Sequence, residues 1–165
     1  MPGERLDAEW VRSWREQADA ALTKLMESFL VTHGFPPGRN AVLLATDGSH
    51  QATGALVDLT PIPSDLTTLY WVISEASLPD VDSGYFIHAP ATVVGHFREY
   101  GPVVIDSEWI ALVFASDGGG RLFAIGDSGQ VWKSTTASWV DGFDVVAASL
   151  QAFLEQLGQR IGNQP

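Results

Sequence analysis

Apolar positions recur along this chain with two different periods, and the change of period marks out its elements. Leu6, Trp10, Trp14, Ala18, Leu22, Leu25, Met26, Phe29 and Leu30 follow one another at spacings of three and four, which gathers them on one face of an α-helix. Asp7 is the expected N-cap, with Glu9 in the first turn. Gly34 stands where a left-handed residue would end the helix, and Pro36-Pro37 blocks its continuation. At helical spacing Trp10 and Trp14 read as core and not as a ligand-stacking pair. A second helical stripe closes the chain: Ser149 as cap, then Leu150, Phe153, Leu154, Leu157 and Ile161, with a fraying tail expected after Gly158.

Between these helices the pattern shortens. Ala41 to Ala45 is an apolar run compatible with a short helix or a buried strand, ended by Thr46-Asp47-Gly48. Ala55 to Leu59 and Thr68 to Ile73 read as strands, the first broken by Pro61 and Pro63, the second β-branched and aromatic. Leu78 to Gly84 reads as a loop and Tyr85 to His88 as a strand. Pro90 opens a helix over Ala91 to Tyr100, closed by Gly101-Pro102. Trp109–Ala115, Arg121–Ile125 and Gln130–Lys133 follow as strands, with Val145–Ala147 a further one. The turns Asp117-Gly-Gly-Gly120 and Asp127-Ser-Gly129 make the first three a meander. The expectation is a single α+β domain over residues 1–165, core about 7–161. A curved, mostly antiparallel sheet is flanked by amphipathic helices at both ends.

Composition narrows what such a domain does. Its 45% apolar and 18% charged residues describe a folded domain, and the absence of Cys removes disulfides, thiolate zinc sites and cysteine nucleophiles. The segment Met1 to Asp7 lacks the layout of a signal peptide, and no apolar run approaches the ~20 residues of a membrane span. A cytoplasmic protein is therefore expected. Twenty acids against nine Lys and Arg give a net charge of −11. Such a surface repels nucleic acid and anionic lipid and suits a basic protein partner.

The candidate chemistry is thin. Gly126-Asp-Ser-Gly129 matches the residues around the nucleophile of trypsin-like proteases, but Gln130 replaces the glycine that follows there, and no Ala-Ala-His-Cys segment precedes it. A hairpin turn accounts for it. Asp117-Gly-Gly-Gly120 leads into a strand, whereas a phosphate loop leads into a helix. His33, His50, His88 and His96 show no metal-ligand spacing. His96 is expected on a surface helix beside Arg98 and Glu99. A site from Asp47, His50 and His88 has nothing in its favour beyond residue type. The acid pairs Asp80/Asp82 and Asp106/Glu108 read as solvated turn acids. No cofactor, metal or catalytic residue is assigned.

Three segments, in order, resemble the SUKH (Smi/Knr-like) superfamily, which includes a yeast cell-wall-synthesis regulator and bacterial immunity proteins that neutralise polymorphic toxins. Leu112-Val-Phe-Ala-Ser-Asp-Gly-Gly-Gly-Arg-Leu-Phe-Ala-Ile125 is similar to its strand–Ser-Asp-Gly-Gly-Gly–strand signature, and Gly129-Gln-Val-Trp132 to its next aromatic strand. Val146-Ala-Ala-Ser-Leu-Gln-Ala-Phe-Leu-Glu-Gln-Leu157 is similar to its closing helix, with Leu150 in place of a Phe. Pro37 to Gly48 resembles the family's proline-initiated helix, although Asp47-Gly48 replaces its Asn-Gly ending and Arg39-Asn40 its aromatic position. The resemblance implies an α+β fold that binds another protein without catalysis, and in particular an immunity protein against a toxin domain. The alternatives are a regulator or scaffold of the same fold, or a small hydrolase using Ser128. The resemblance makes Ser116, Asp117, Gly118, Gly119 and Gly120 a structural signature turn, in which the glycines supply backbone freedom. Asp80, Asp82, Trp109, Trp132 and Trp139 are singled out as the binding face.

Overall fold

The computed structural model describes residues 5–164. The reading of Met1 to Asp7 as free of a leader therefore falls mostly on residues outside those described. Five helices and seven strands follow in the order α1 (Ala8–His33), β1 (Ala41–Leu44), α2 (Asp47–Leu59), α3 (Ser64–Val72), β2 (Ile73–Leu78), β3 (Tyr85–Ile87), α4 (Pro90–Tyr100), β4 (Ala111–Asp117), β5 (Leu122–Gly126), β6 (Val131–Ser134), β7 (Phe143–Ala147) and α5 (Leu150–Gly162). The strands form one open sheet in chain order, every neighbouring pair antiparallel. Among the described residues no helix is long and apolar enough to cross a membrane.

The two terminal helices form for the reasons their sequences give. The Asp7 carboxylate accepts from the Glu9 N–H, and the Gly34 N–H donates to the Leu30 carbonyl at 2.8 Å. Val11, Trp14, Ala18, Leu22, Leu25 and Phe29 are buried along one side of α1, while Leu30 lies outside that stripe and is exposed. Ser149 caps α5 by accepting from the Ala152 N–H at 3.1 Å. The helix continues past Gly158 to Gly162 because Ile161 is buried, so no fraying begins at Gly158. The Trp14 indole N–H donates to the Leu154 carbonyl at 2.7 Å, clasping α1 to α5.

The region from Thr46 to Val72 departs most from the sequence expectation. Ala41–Leu44 is a strand and not the proline-initiated helix of the resemblance. Thr46-Asp47 starts a helix instead of merely ending a run: the Thr46 hydroxyl accepts from the Ser49 N–H at 3.0 Å, and the Ser49 hydroxyl accepts from the Thr46 N–H at 2.8 Å. Ala55–Leu59, expected as a strand, is the second half of α2, with Thr53 and Leu56 buried one turn apart. Thr68–Val72, also expected as strand, lies in α3, and only Ile73 enters β2. Leu66, Leu69 and Tyr70 are fully buried at helical spacing, so packing of that face outweighs the strand preference of Thr, Tyr, Trp and Val. In the meander the strands begin one or two residues later than expected, at Ala111, Leu122 and Val131; β7 begins two residues earlier, at Phe143.

The sheet has two unlike sides at its β4–β6 end. Leu112, Phe114, Phe123, Ile125 and Val131 join the main core under the helices, where Phe153 of α5 meets Phe114 and Phe123 edge-on at 5.6 and 5.1 Å between centroids. Ala111, Val113, Leu122 and Ala124 face the other way. They form a smaller cluster covered by Val103 and Ile105, with Trp132, Trp139 and Phe143 packed against it.

Candidate binding face

The turn from Ser116 to Gly120 is fixed by contacts and only partly by conformational freedom. Asp117 Oδ1 accepts from the N–H groups of Gly119 and Arg121, both at 2.9 Å, and Oδ2 pairs with Lys133 Nζ at 3.2 Å. Gly118 does not have a positive φ. A Cβ there would lie 1.7 Å from the Ser83 carbonyl oxygen, because the β2–β3 turn packs directly on it, and the Gly118 N–H donates to the Gly84 carbonyl at 3.1 Å. Of the three glycines only Gly120, at φ +85°, occupies the left-handed region.

Ser116 precedes this turn on β4, across from Phe86 of β3. Its hydroxyl is 2.8 Å from Nε2 of His88, a pair that sequence reading missed because 28 positions separate the two residues. His88 Nδ1 is buried without a hydrogen-bond partner, as is His96 Nδ1, and the two rings meet edge-on at 5.5 Å. Burial, reinforced by His96, lowers the His88 pKa to about 4, so its imidazole is neutral at pH 7. His96 is not a surface residue beside Arg98 and Glu99. It is half-buried, facing His88, Trp139 and Tyr100. The amides of the Gly118–Gly120 turn, which an oxyanion would need, already donate to Gly84 O, Asp117 Oδ1 and Asp117 O.

Ser128 has different surroundings from those a triad requires. It is exposed on the β5–β6 turn, where its hydroxyl donates to Glu108 and accepts from the Gln130 N–H. None of the four histidines is among its hydrogen-bond partners. Glu108 is not a solvated turn acid: it is 9% exposed and lies across Gly126, where a Cβ would collide with the carboxylate. It accepts from the Ser128 N–H at 3.0 Å and from the Trp132 indole N–H at 3.2 Å. Next to it, Asp127 Oδ1 accepts from the Ile110 N–H at 3.0 Å, which holds the Asp127 pKa below the usual carboxylate value. Together these bonds tie the 103–110 connection to the turn. His50 stacks on Trp71 at 4.3 Å, and His88 has the partners given above, so the two are not brought to one site with Asp47. Among the described residues no three His, Asp or Glu side chains gather as a metal group.

The five residues singled out as a binding face divide into two groups. Asp80 and Asp82 sit on the β2–β3 turn and are engaged there. Asp80 accepts from the Gly38 N–H and the Asn40 amide, each at 2.7 Å, while Asp82 pairs with Arg160 at 3.4 Å and accepts from Gln164. Trp132 and Trp139 pack on the smaller cluster, and Trp109, beside Glu108, is 81% exposed. Trp109 precedes β4 instead of starting it. Tyr100, which no sequence signal singles out, stacks on Trp139 at 4.8 Å and 27° while remaining mostly exposed.

Other concavities are open grooves. Two of them, of about 450 and 460 Å³, run along α1; one is lined by Trp10, Trp14, Gln17, Glu155 and Gln159. Trp14 is buried and Trp10 packs against the core, as expected of that pair. No protein-family model matches the chain, and a search of curated proteins finds no similar sequence.

Proposed function

We propose that the chain is a SUKH-type, non-enzymatic binding domain that engages a toxin domain and neutralises it in the cytoplasm. The observation that carries the reading is that the three segments resembling the family pack as one unit. Its strand–Ser-Asp-Gly-Gly-Gly–strand segment is β4–turn–β5, its aromatic strand is β6, and its closing helix is α5, joined through Phe114, Phe123 and Phe153. The net charge of −11 adds to it, since an acidic inhibitor meets a basic toxin, such as a nuclease, faster and with better selectivity.

The test is co-expression with toxin domains encoded beside the gene. Rescue of growth, with a complex that weakens as salt rises, is the expected result. Neighbouring genes without a toxin, together with no rescue from any toxin tried, would sink the proposal. The hydrogen bond between Ser116 and His88 favours a second reading, a hydrolase in which Ser116 is the nucleophile. That reading requires ester hydrolysis by the purified protein that Ser116→Ala abolishes.

A further inference from the structure

We infer that the surface built by residues 99–110, the β5–β6 turn and the 135–142 loop is the docking site for a basic protein; this rests on the binding reading above. The 103–105 stretch lies over the smaller cluster with alternating sides. Val103 and Ile105 point inward, and Val104 between them is 86% exposed. The same outer layer carries Trp109 and Tyr100, and Val140 on the neighbouring loop is 91% exposed. Large apolar side chains grouped on one exposed face and rimmed by polar residues mark a recognition surface.

These segments are also held in place before any partner arrives. Tyr100 stacks on Trp139, Glu108 binds the β5–β6 turn and the Trp132 indole, and Asp127 binds the Ile110 N–H. A fixed aromatic surface loses little entropy on binding.

Charge selects the occupant. Residues 99–110 and 135–142 contain no Lys or Arg, and neither does the turn from Gly126 to Gln130. They carry exposed Glu99, Asp106, Asp127 and Asp141. Exposed indole and phenol rings among carboxylates suit Lys and Arg, whose stems lie on the rings while their charges meet the acids. The same acids repel a phosphate backbone, so the fitting partner is a basic protein and not a nucleic acid. The exposed group at the end of α1, Leu30, Val31 and Phe35, has Lys24, Glu27 and Arg39 as its charged neighbours in sequence, a mixed set with no such preference.

The experiment uses the whole chain, labelled with nitrogen-15, and a nona-arginine peptide as probe. Six tryptophans provide indole N–H reporters: Trp109, Trp132 and Trp139 on this face, Trp10, Trp14 and Trp71 away from it. Saturable shifts at Trp109 and Trp139, lost at high salt and weakened about tenfold or more in a Trp109→Ala/Asp106→Asn/Asp141→Asn variant, support the site. Shifts centred on Trp10, Trp14 or Trp71, or equal binding by that variant with its circular dichroism unchanged, overturn it. The toxin co-expression arm separates the two levels. If the wild type and the variant rescue equally, this face is wrong and the toxin reading stands. If nothing is rescued but the peptide still localises at Trp109, the face stands and the toxin reading fails.

Discussion

On one side of the β4–β6 meander, Phe114 and Phe123 meet Phe153 on a helix whose backbone satisfies itself. On the other, Ala111, Val113, Leu122 and Ala124 are covered by a connection and a loop that do not. A helix can be pressed onto a sheet by apolar contact alone, because its interior N–H and C=O groups are already paired. An irregular cover brings amides that need acceptors, and here side chains provide them. Glu108 takes the Ser128 N–H and the Trp132 indole, and Asp127 takes the Ile110 N–H. Buried Ser134 takes the Leu122 N–H at 2.8 Å and donates to the Thr136 carbonyl at 2.6 Å. The helix-covered side thus rests mainly on burial, and the loop-covered side depends on a few named hydrogen bonds.

The largest expected effect lies on the helix-covered side. Phe114→Ala empties a fully buried ring site against Phe153 and should cost about 3–5 kcal/mol in urea unfolding. A loss under 1 kcal/mol would mean that α5 does not seal that side. Acid acts next, at the margin between the two sides. The folded His88 pKa, near 4, is below the 6.5 of an unfolded histidine, so the unfolded chain binds more protons between those values. The His88 contribution is complete above about pH 6.5 and declines as pH falls toward 4, by about 3 kcal/mol at most. Stability-versus-pH curves of wild type and His88→Gln should differ in slope across that window; parallel curves would refute the assignment.

Removing the carboxylate on the loop-covered side should be milder and local. Glu108→Ala strands the Trp132 indole N–H and frees the turn, at a cost of about 2 kcal/mol. Hydrogen exchange should show faster exchange confined to residues 103–110 and 126–130, with α1 and α5 unaffected; uniform acceleration would contradict a local role. The smallest effect belongs to the outermost residue. Trp109→Ala should change stability by no more than about 0.5 kcal/mol, because its ring is already in water. A clear drop in Tm would show that the ring supports the fold and is not free for a partner.

Where the sequence carried two consistent signals, it could be read; where they conflicted, it misled. In α1 the cap, the period and the helix-ending residues agree, and in α5 the cap and the period do, while Gly158 points to an end that buried Ile161 overrides. In the meander the short apolar runs and the glycine-bearing turns agree. In α3 they disagree, since Leu66, Leu69 and Tyr70 keep a helical period inside a β-favouring composition, and burial decided for the period. In α2 the cap at Thr46 belongs to Thr46-Asp47-Gly48, a tripeptide that reads equally as the end of the preceding apolar run. Of the candidate face, the tryptophans could be picked out as residue types. Their grouping with Tyr100, the burial of Glu108 and the meeting of Ser116 with His88 depend on register between distant strands. No local pattern encodes that.

The hydrogen bond from Trp14 to Leu154 joins residues 140 positions apart, while each strand pairs with the next one along the chain. In kinetic terms the clasp is the most demanding loop to close. Its entropic cost exceeds that of a ten-residue hairpin by roughly 2 kcal/mol. The meander can therefore assemble first and α1 dock onto α5 late, after the rate-limiting barrier. Trp14→Phe, which keeps an aromatic ring but removes the donor and part of the indole's buried volume, should then raise the unfolding rate and leave the refolding rate nearly unchanged in stopped-flow measurements. Slowed refolding would put the clasp inside the folding nucleus instead.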